Sequence, residues 1–175
     1  RVNANVNITQ HTCLMTEPTF ENTRFLSYNN DSLLNFEDQT WSPNLETLVI
    51  TKNIFDLELR LKNLHYLRAF VLKQTKLLSY DITFPPQLQV LELSEVVLES
   101  MPEIHFPDSL RKITLRANKI ASLFLIKWSQ SLVILDLTQN EITSLDGVDF
   151  PDSLKSLVLE NNPLHSISNV SWPPL

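Results

Sequence analysis

One spacing governs this chain. Leu154, Leu157, Leu159, Asn162, Leu164 and Ile167 follow the pattern LxxLxLxxNxLxxL. One period earlier stand Leu132, Leu135, Leu137, Asn140, Ile142 and Leu145, and one period before those Leu110, Ile113, Leu115, Asn118, Ile120 and Leu123. Continuing toward the N-terminus at nearly the same step places looser copies at Leu88, Leu67, Leu45 and Thr23. A fixed period of this size means stacked units, because one unit cannot bury its apolar face alone. That requirement predicts a solenoid over residues 23–175, built of seven repeats starting near 23, 45, 67, 88, 110, 132 and 154.

The LxL centre of each repeat reads as a short strand with alternating faces. Its leucines point inward, and successive strands pair in parallel. The Asn that follows can bond otherwise unpaired backbone groups through its amide, forming a ladder along the stack. Asn53, Asn118, Asn140 and Asn162 fill that position, with Asp31 and Thr75 as polar substitutes. Val96 cannot make these bonds, which predicts an irregularity or a bound water in the fourth repeat. Four residues ahead of each first leucine stand Trp41, Phe84, Phe106, Trp128, Phe150 and Trp172, interrupted by Asn63. Aromatics at one repeat position predict a packed spine. Prolines follow several of them, as in Phe106-Pro107 and Phe150-Pro151, so the side opposite the sheet should be extended or turn-like, with little helix.

The seven copies resemble the leucine-rich repeat proteins. That resemblance implies an α/β-class horseshoe with a parallel, concave sheet, and a concave face that binds partners. The lead-in Phe-Pro-Asp-Ser-Leu at residues 106–110 and 150–154 is similar to the oomycete-type leucine-rich repeats, including the extracellular parts of receptor-like kinases. Residues 1–22 fall outside the leucine register and read as an N-terminal cap, with Val2, Val6 and Ile8 alternating as in a strand. At the other end, Trp172-Pro173-Pro174-Leu175 resembles the approach to an eighth repeat, which suggests an array cut from a longer one or covered by another molecule.

Composition removes several functions. Gly147 is the single glycine, so neither a GxGxxG nor a GxxxxGK[ST] phosphate loop can be built. A formal net charge of −6 opposes nucleic-acid binding, which needs a basic face. Cys13 stands alone, which excludes an internal disulfide and a Cys-rich zinc site. Extracellular caps of this repeat class commonly carry disulfides, so a lone cysteine departs from the resemblance. No apolar run is long enough to span a bilayer. A membrane would be reached only through a segment outside this chain.

Spacing alone nominates the exposed strand positions. The centre row is Ser27, Val49, Val71, Glu92, Thr114, Asp136 and Val158. The row before it holds Val90, Lys112 and Ile134, and the row after it holds Lys73 and Arg116. A partly apolar face with interleaved charge suits a protein or peptide partner. β-branched residues also favour strands without binding anything. Glu92 and Asp136 fall about 10 Å apart, two strands along one row. That separation approaches an inverting glycosidase pair, but a flat sheet has nowhere to hold the sugar. His11, His65, His105 and His165 occupy unrelated repeat positions, and His11-x-Cys13 lacks a second pair, so no metal and no cofactor are expected. N-x-[ST] sequons occur at Asn7, Asn30 and Asn169, a number that fifteen asparagines produce by chance.

The expectation is a non-enzymatic recognition module. It is read as the extracellular domain of a receptor resembling receptor-like kinases, with a protein or peptide ligand or a co-receptor on its concave face. An intracellular scaffold or phosphatase-regulator-like subunit in the cytoplasm, and a secreted effector or inhibitor, are the alternatives.

Overall fold

The computed structural model describes residues 5–9, 23–29, 42–52, 54–55, 61, 64–77, 82–99, 101 and 104–174, with the backbone alone at 5–9, 28, 54–55 and 76–77. Cys13, His11, Asn30, Asp31, Trp41, Asn53 and Asn63 lie outside the described residues.

The strands are β1 (Asn5–Thr9), β2 (Phe25–Asn29), β3 (Thr47–Thr51), β4 (Ile54–Phe55), β5 (Ala69–Lys73), β6 (Lys76–Leu77), β7 (Val90–Ser94), β8 (Lys112–Thr114), β9 (Ile134–Asp136) and β10 (Ser156–Val158). One eight-stranded sheet runs β1-β2-β3-β5-β7-β8-β9-β10, and β4 pairs with β6 separately. All pairings are parallel. The chain therefore winds as a solenoid of the leucine-rich-repeat kind, and no α-helix occurs among the described residues. The registers match the sequence spacing, with Leu48 opposite Phe70, Leu91 opposite Ile113 and Leu135 opposite Leu157.

Alternation sets the faces. In β3 and β5 the second and fourth residues are buried and the others half-exposed. The inward residues Leu48, Ile50, Phe70, Leu72, Leu91, Leu93, Leu135 and Leu137 are completely buried, as are the first leucines Leu45, Leu67, Leu88, Leu110 and Leu132. Each such side chain contributes about 1.5–3 kcal/mol by leaving water. In the last repeat Leu157 and Leu159 are half-buried.

Seven repeats imply seven strands, but the sheet has eight. The extra one, β1, belongs to the segment read as a cap. It pairs with β2 in full register, Asn5 opposite Phe25 and Thr9 opposite Asn29. The step from Asn5 to Phe25 is shorter than the step from Phe25 to Thr47 that separates β2 from β3. Val6 and Ile8 also stand where other strands carry leucines, so a search on leucine spacing passes over β1.

Hydrogen bonds at both strand ends join the turns. Just ahead of each strand, one carbonyl accepts two N–H groups of the next repeat. Arg24 O takes Glu46 and Thr47, Glu46 O takes Arg68 and Ala69, Arg68 O takes Gln89 and Val90, and Gln89 O takes Arg111 and Lys112. Arg111 O takes Val133 and Ile134, and Val133 O takes Lys155 and Ser156. Just past each strand, Lys52, Gln74, Glu95, Ala117, Gln139 and Asn161 all have φ between 51° and 58°. That left-handed conformation accompanies a bond from each of the first five N–H groups to the next repeat, onto Lys73, Ser94, Arg116, Thr138 and Glu160 carbonyls.

Among the described residues Asn118, Asn140 and Asn162 form a ladder. Asn140 Nδ2 donates to Leu115 O and Leu137 O at 2.9 Å each, and its Oδ1 accepts from Ile120 N at 3.1 Å. Asn162 does the same toward Leu137 O, Leu159 O and Ile142 N. Thr75 makes a lesser substitute, its hydroxyl donating to Lys73 O at 2.9 Å. At the fourth repeat the irregularity appears. Val97, a β-branched residue, has φ of 62°. Asn118 of the next repeat covers the gap, its Oδ1 accepting from both Val96 N and Leu98 N at 3.1 Å.

The aromatic spine also forms, in two stacks. Phe84, Phe106 and Trp128 stack at centroid distances of 6.5 and 5.7 Å, and Phe150 stacks on Trp172 at 5.7 Å. Beside it runs a serine ladder that the sequence reading did not anticipate. Ser109, Ser129 and Ser153 donate their hydroxyls back to the Leu88, Leu110 and Leu132 carbonyls.

A second left-handed row lies on the turns opposite the sheet, at Leu125 (φ 65°), Gly147 (φ 70°) and Asn169 (φ 52°). Only the middle residue is suited by lacking a Cβ. Leu125 is 73% exposed, so its side chain offsets little of the strain. Leu125→Asn should raise stability by about 0.5–1 kcal/mol, and Gly147→Ala should lower it by about 1 kcal/mol. A β-carbon at 147 would meet Phe124 Cε2 at 3.6 Å, an ordinary contact, so backbone conformation alone carries that loss. Asn140→Ala strands two carbonyls and an N–H in the core and should lower stability by about 2–4 kcal/mol. Urea denaturation of the three variants checks all three signs.

Candidate functional site

The outward strand residues form one continuous face. Strand pairing places Val49 opposite Val71, Val71 opposite Glu92, Glu92 opposite Thr114, and Thr114 opposite Asp136. Val158 follows Asp136, and Ser27 precedes Val49. The flanking rows are equally regular, with Val90 opposite Lys112 and Lys112 opposite Ile134. Strand spacing fixes neighbours in a row at about 4.8 Å. The nominated residues that fall inside strands therefore share one side of the sheet, Arg116 lies two residues past β8, and Asn7 joins the centre row, opposite Ser27 in β1.

Accessibility is uneven along it. Val49, Val71, Val90 and Val158 are half-buried, Lys112 and Arg116 are exposed, and Ile134 is 37% exposed. Thr114 is buried among its neighbours. The apolar stripe is thus partly covered by adjoining side chains, leaving a shallow surface.

Several charged groups on the face already have partners, one of them of opposite charge. Lys73 Nζ lies 2.9 Å from Glu92 Oε1, and the same oxygen accepts from the Ser94 hydroxyl at 3.0 Å. Asp136 Oδ1 accepts from Thr138 N at 2.9 Å and from its hydroxyl at 2.6 Å. Glu95 accepts from Gln74, and Arg116 donates to Gln139. Glu92 and Asp136, two strands apart, each bond to different neighbours. Among the described residues no group of three His, Cys, Asp or Glu side chains could hold a metal ion. His65, His105 and His165 are all exposed and lie in separate turns. No helix of the described residues is long and apolar enough to cross a membrane.

The sequence reading passed over the row immediately ahead of the strands. It comprises Arg24, Glu46, Arg68, Gln89, Arg111, Val133 and Lys155, each the residue after a repeat's first position. Strand alternation assigns faces only inside LxL, so these residues had no predicted side. Arg24, Arg68, Gln89, Arg111 and Lys155 are exposed. Arg24 pairs with Glu46 at 3.3 Å.

Asp146 is the carboxylate that its surroundings alter most clearly, and it sits on the opposite turns. Both its oxygens accept from the Ser166 hydroxyl at 2.7 Å, and Oδ1 accepts from Ser168 N at 2.6 Å. The Ser166 hydroxyl, the largest influence, holds its pKa below the ordinary carboxylate value against desolvation, the next largest, with help from the Ser168 amide, Ser144 and His165. The bonds run from one turn to the next and so join adjacent repeats. They also position the loop carrying Asn169, which is exposed.

No protein-family model and no curated protein matches the chain. The class its structure defines is a parallel-sheet repeat solenoid, compatible with a protein-binding repeat module. Function in such a scaffold resides in its exposed residues rather than in the fold.

A depressed folded-state pKa stabilises above the unfolded value and loses that contribution as pH falls through the folded one. Asp146→Asn should therefore melt at a lower temperature than the parent at neutral pH. The difference should close as pH falls through and below the ordinary carboxylate range. Paired thermal melts across that range check both the sign and the window.

Proposed function

We propose that this chain is a leucine-rich repeat recognition module with no catalytic role, and that it forms the extracellular part of a receptor resembling receptor-like kinases. Its ligand is a protein or peptide, or a co-receptor, and it docks on the concave sheet face. The observation that carries this reading is the face itself: eight parallel strands in unbroken register, presenting half-buried valines and Ile134 between polar side chains. Such a surface is wide, shallow and mixed in polarity, like the contact areas proteins make with one another. Its backbone is locked by hydrogen bonds at both strand ends, so little ordering free energy is lost on binding. The extracellular placement draws support from Asn169, whose sequon stands on an exposed turn.

Secretion from a eukaryotic cell, followed by a screen against extracellular proteins and peptide mass spectrometry, tests the reading. The expected result is a glycan on Asn169 and a partner whose binding weakens by at least about tenfold in Val71→Arg/Ile134→Arg. Ser122→Arg, on an exposed turn away from the face, should leave that binding unchanged. A partner indifferent to the double substitution would refute the concave site. An unmodified Asn169 with aggregated product would move the protein to the cytoplasm, as a scaffold or regulatory subunit.

A further inference from the structure

We infer that the row of residues just ahead of the sheet binds an extended acidic polypeptide segment carrying a carboxylate at every third position. This goes beyond the receptor reading, because its three spaced cations, Arg68, Arg111 and Lys155, lie outside the concave set, and it holds in either compartment.

The row begins with a closed pair, Arg24 and Glu46. From there it reads Arg68, Gln89, Arg111, Val133, Lys155, with a cation on every second strand. Lys112, next in chain to Arg111, thickens the positive charge at the centre. Arg68, Arg111, Lys112 and Lys155 are all exposed. None makes an ion pair with a carboxylate among the described residues. Asp108 and Asp152 stand in the turns three residues ahead of Arg111 and Lys155 without pairing to them. In a chain of net charge −6, such a stretch runs against the average.

The spacing is held by backbone. The Arg68, Gln89, Arg111 and Val133 carbonyls each accept two N–H groups of the following repeat at 2.8–3.1 Å. Those paired bonds keep successive row residues one strand apart, so Arg68, Arg111 and Lys155 recur at about 9.6 Å over a span of about 19 Å. A polyproline II segment has three residues per turn and rises about 3.1 Å per residue, so every third side chain shares one face at about 9.3 Å. Its carboxylates would meet the three cations in register. A β-strand repeats its face at about 6.7 Å and would lose register after one contact. Polyproline II backbone also has no internal hydrogen bonds, so Gln89 has carbonyls to donate to, and half-buried Val133 offers an apolar seat between cations.

The test uses two fluorescein-labelled peptides of one composition, about five Glu-Pro-Pro units and a control with all glutamates at one end, with anisotropy read at about 50 mM salt. The spaced peptide should bind at least about fivefold tighter than the block peptide. Arg68→Glu/Arg111→Glu/Lys155→Glu should weaken the spaced peptide by at least about tenfold. Circular dichroism confirms folding, and Arg68→Gln/Arg111→Gln/Lys155→Gln replaces the triple reversal if that variant fails to fold. Equal binding of the two peptides would overturn the spacing argument. An unchanged affinity in the folded triple variant, or no binding below about 1 mM, would overturn the site. Displacement by a sulfated glycan at lower concentration than the spaced peptide would assign the row to a polyanionic sugar and overturn the polypeptide assignment. A concave-face variant such as Val71→Arg should leave peptide binding intact, which separates this site from the receptor reading.

Discussion

Each strand of this solenoid leaves its backbone N–H and C=O groups without partners until the next turn supplies them. That dependence orders everything else. It makes a carbonyl ahead of the strand accept two N–H groups from the next repeat. It keeps residues past the strand in a left-handed conformation that glycine favours, although the chain has one glycine. The strain of Lys52, Gln74, Glu95, Ala117 and Gln139 is offset by the bond each N–H makes to the following turn. The buried leucines supply the driving force, and these bonds fix where each turn sits.

The same dependence explains what could be read in advance. Burial of alternate residues leaves a period of two inside each repeat, and stacking leaves a longer one between repeats, so LxL faces and the Asn column were visible as letters. Asn118, Asn140 and Asn162 bond as their chemistry dictates, because a carboxamide is a rare group that can both donate and accept at a buried turn. Backbone geometry leaves no such trace. Apart from Gly147, the left-handed rows are filled by Lys, Gln, Glu, Ala, Leu and Asn, which share no property a sequence pattern can register. β1 was hidden differently: valine and isoleucine replace leucine, and its step to the next strand is shorter than the rest. The serine ladder lay inside the lead-in motif, where serine reads equally well as a turn residue.

At the candidate face, spacing located the residues but not their engagement. Every nominated strand residue falls on one surface. Yet Lys73 and Glu92 neutralise each other, and Asp136 is taken up by Thr138. Such pairings depend on rotamers across adjacent strands, which letters do not specify. The row carrying Arg68, Arg111 and Lys155 escaped notice because it lies one residue outside the alternating segment. Its side chains gain their common edge from the bifurcated carbonyl bonds, a property of the stacked turns rather than of any single repeat.

Bonds that reach only the adjacent turn make copy number a free variable. The regular repeats starting at Leu110, Leu132 and Leu154 present the same bonding groups at the same offsets. A duplicated block of one full repeat between them would meet on each side a neighbour it already matches, and no existing interface would change. A step one residue shorter is taken up in the turns, as between Ala69 and Val90, where Leu91 and Leu93 stay fully buried. Length can therefore grow by whole units without redesign, carrying each added strand, and whatever cation stands ahead of it, into the surface already present.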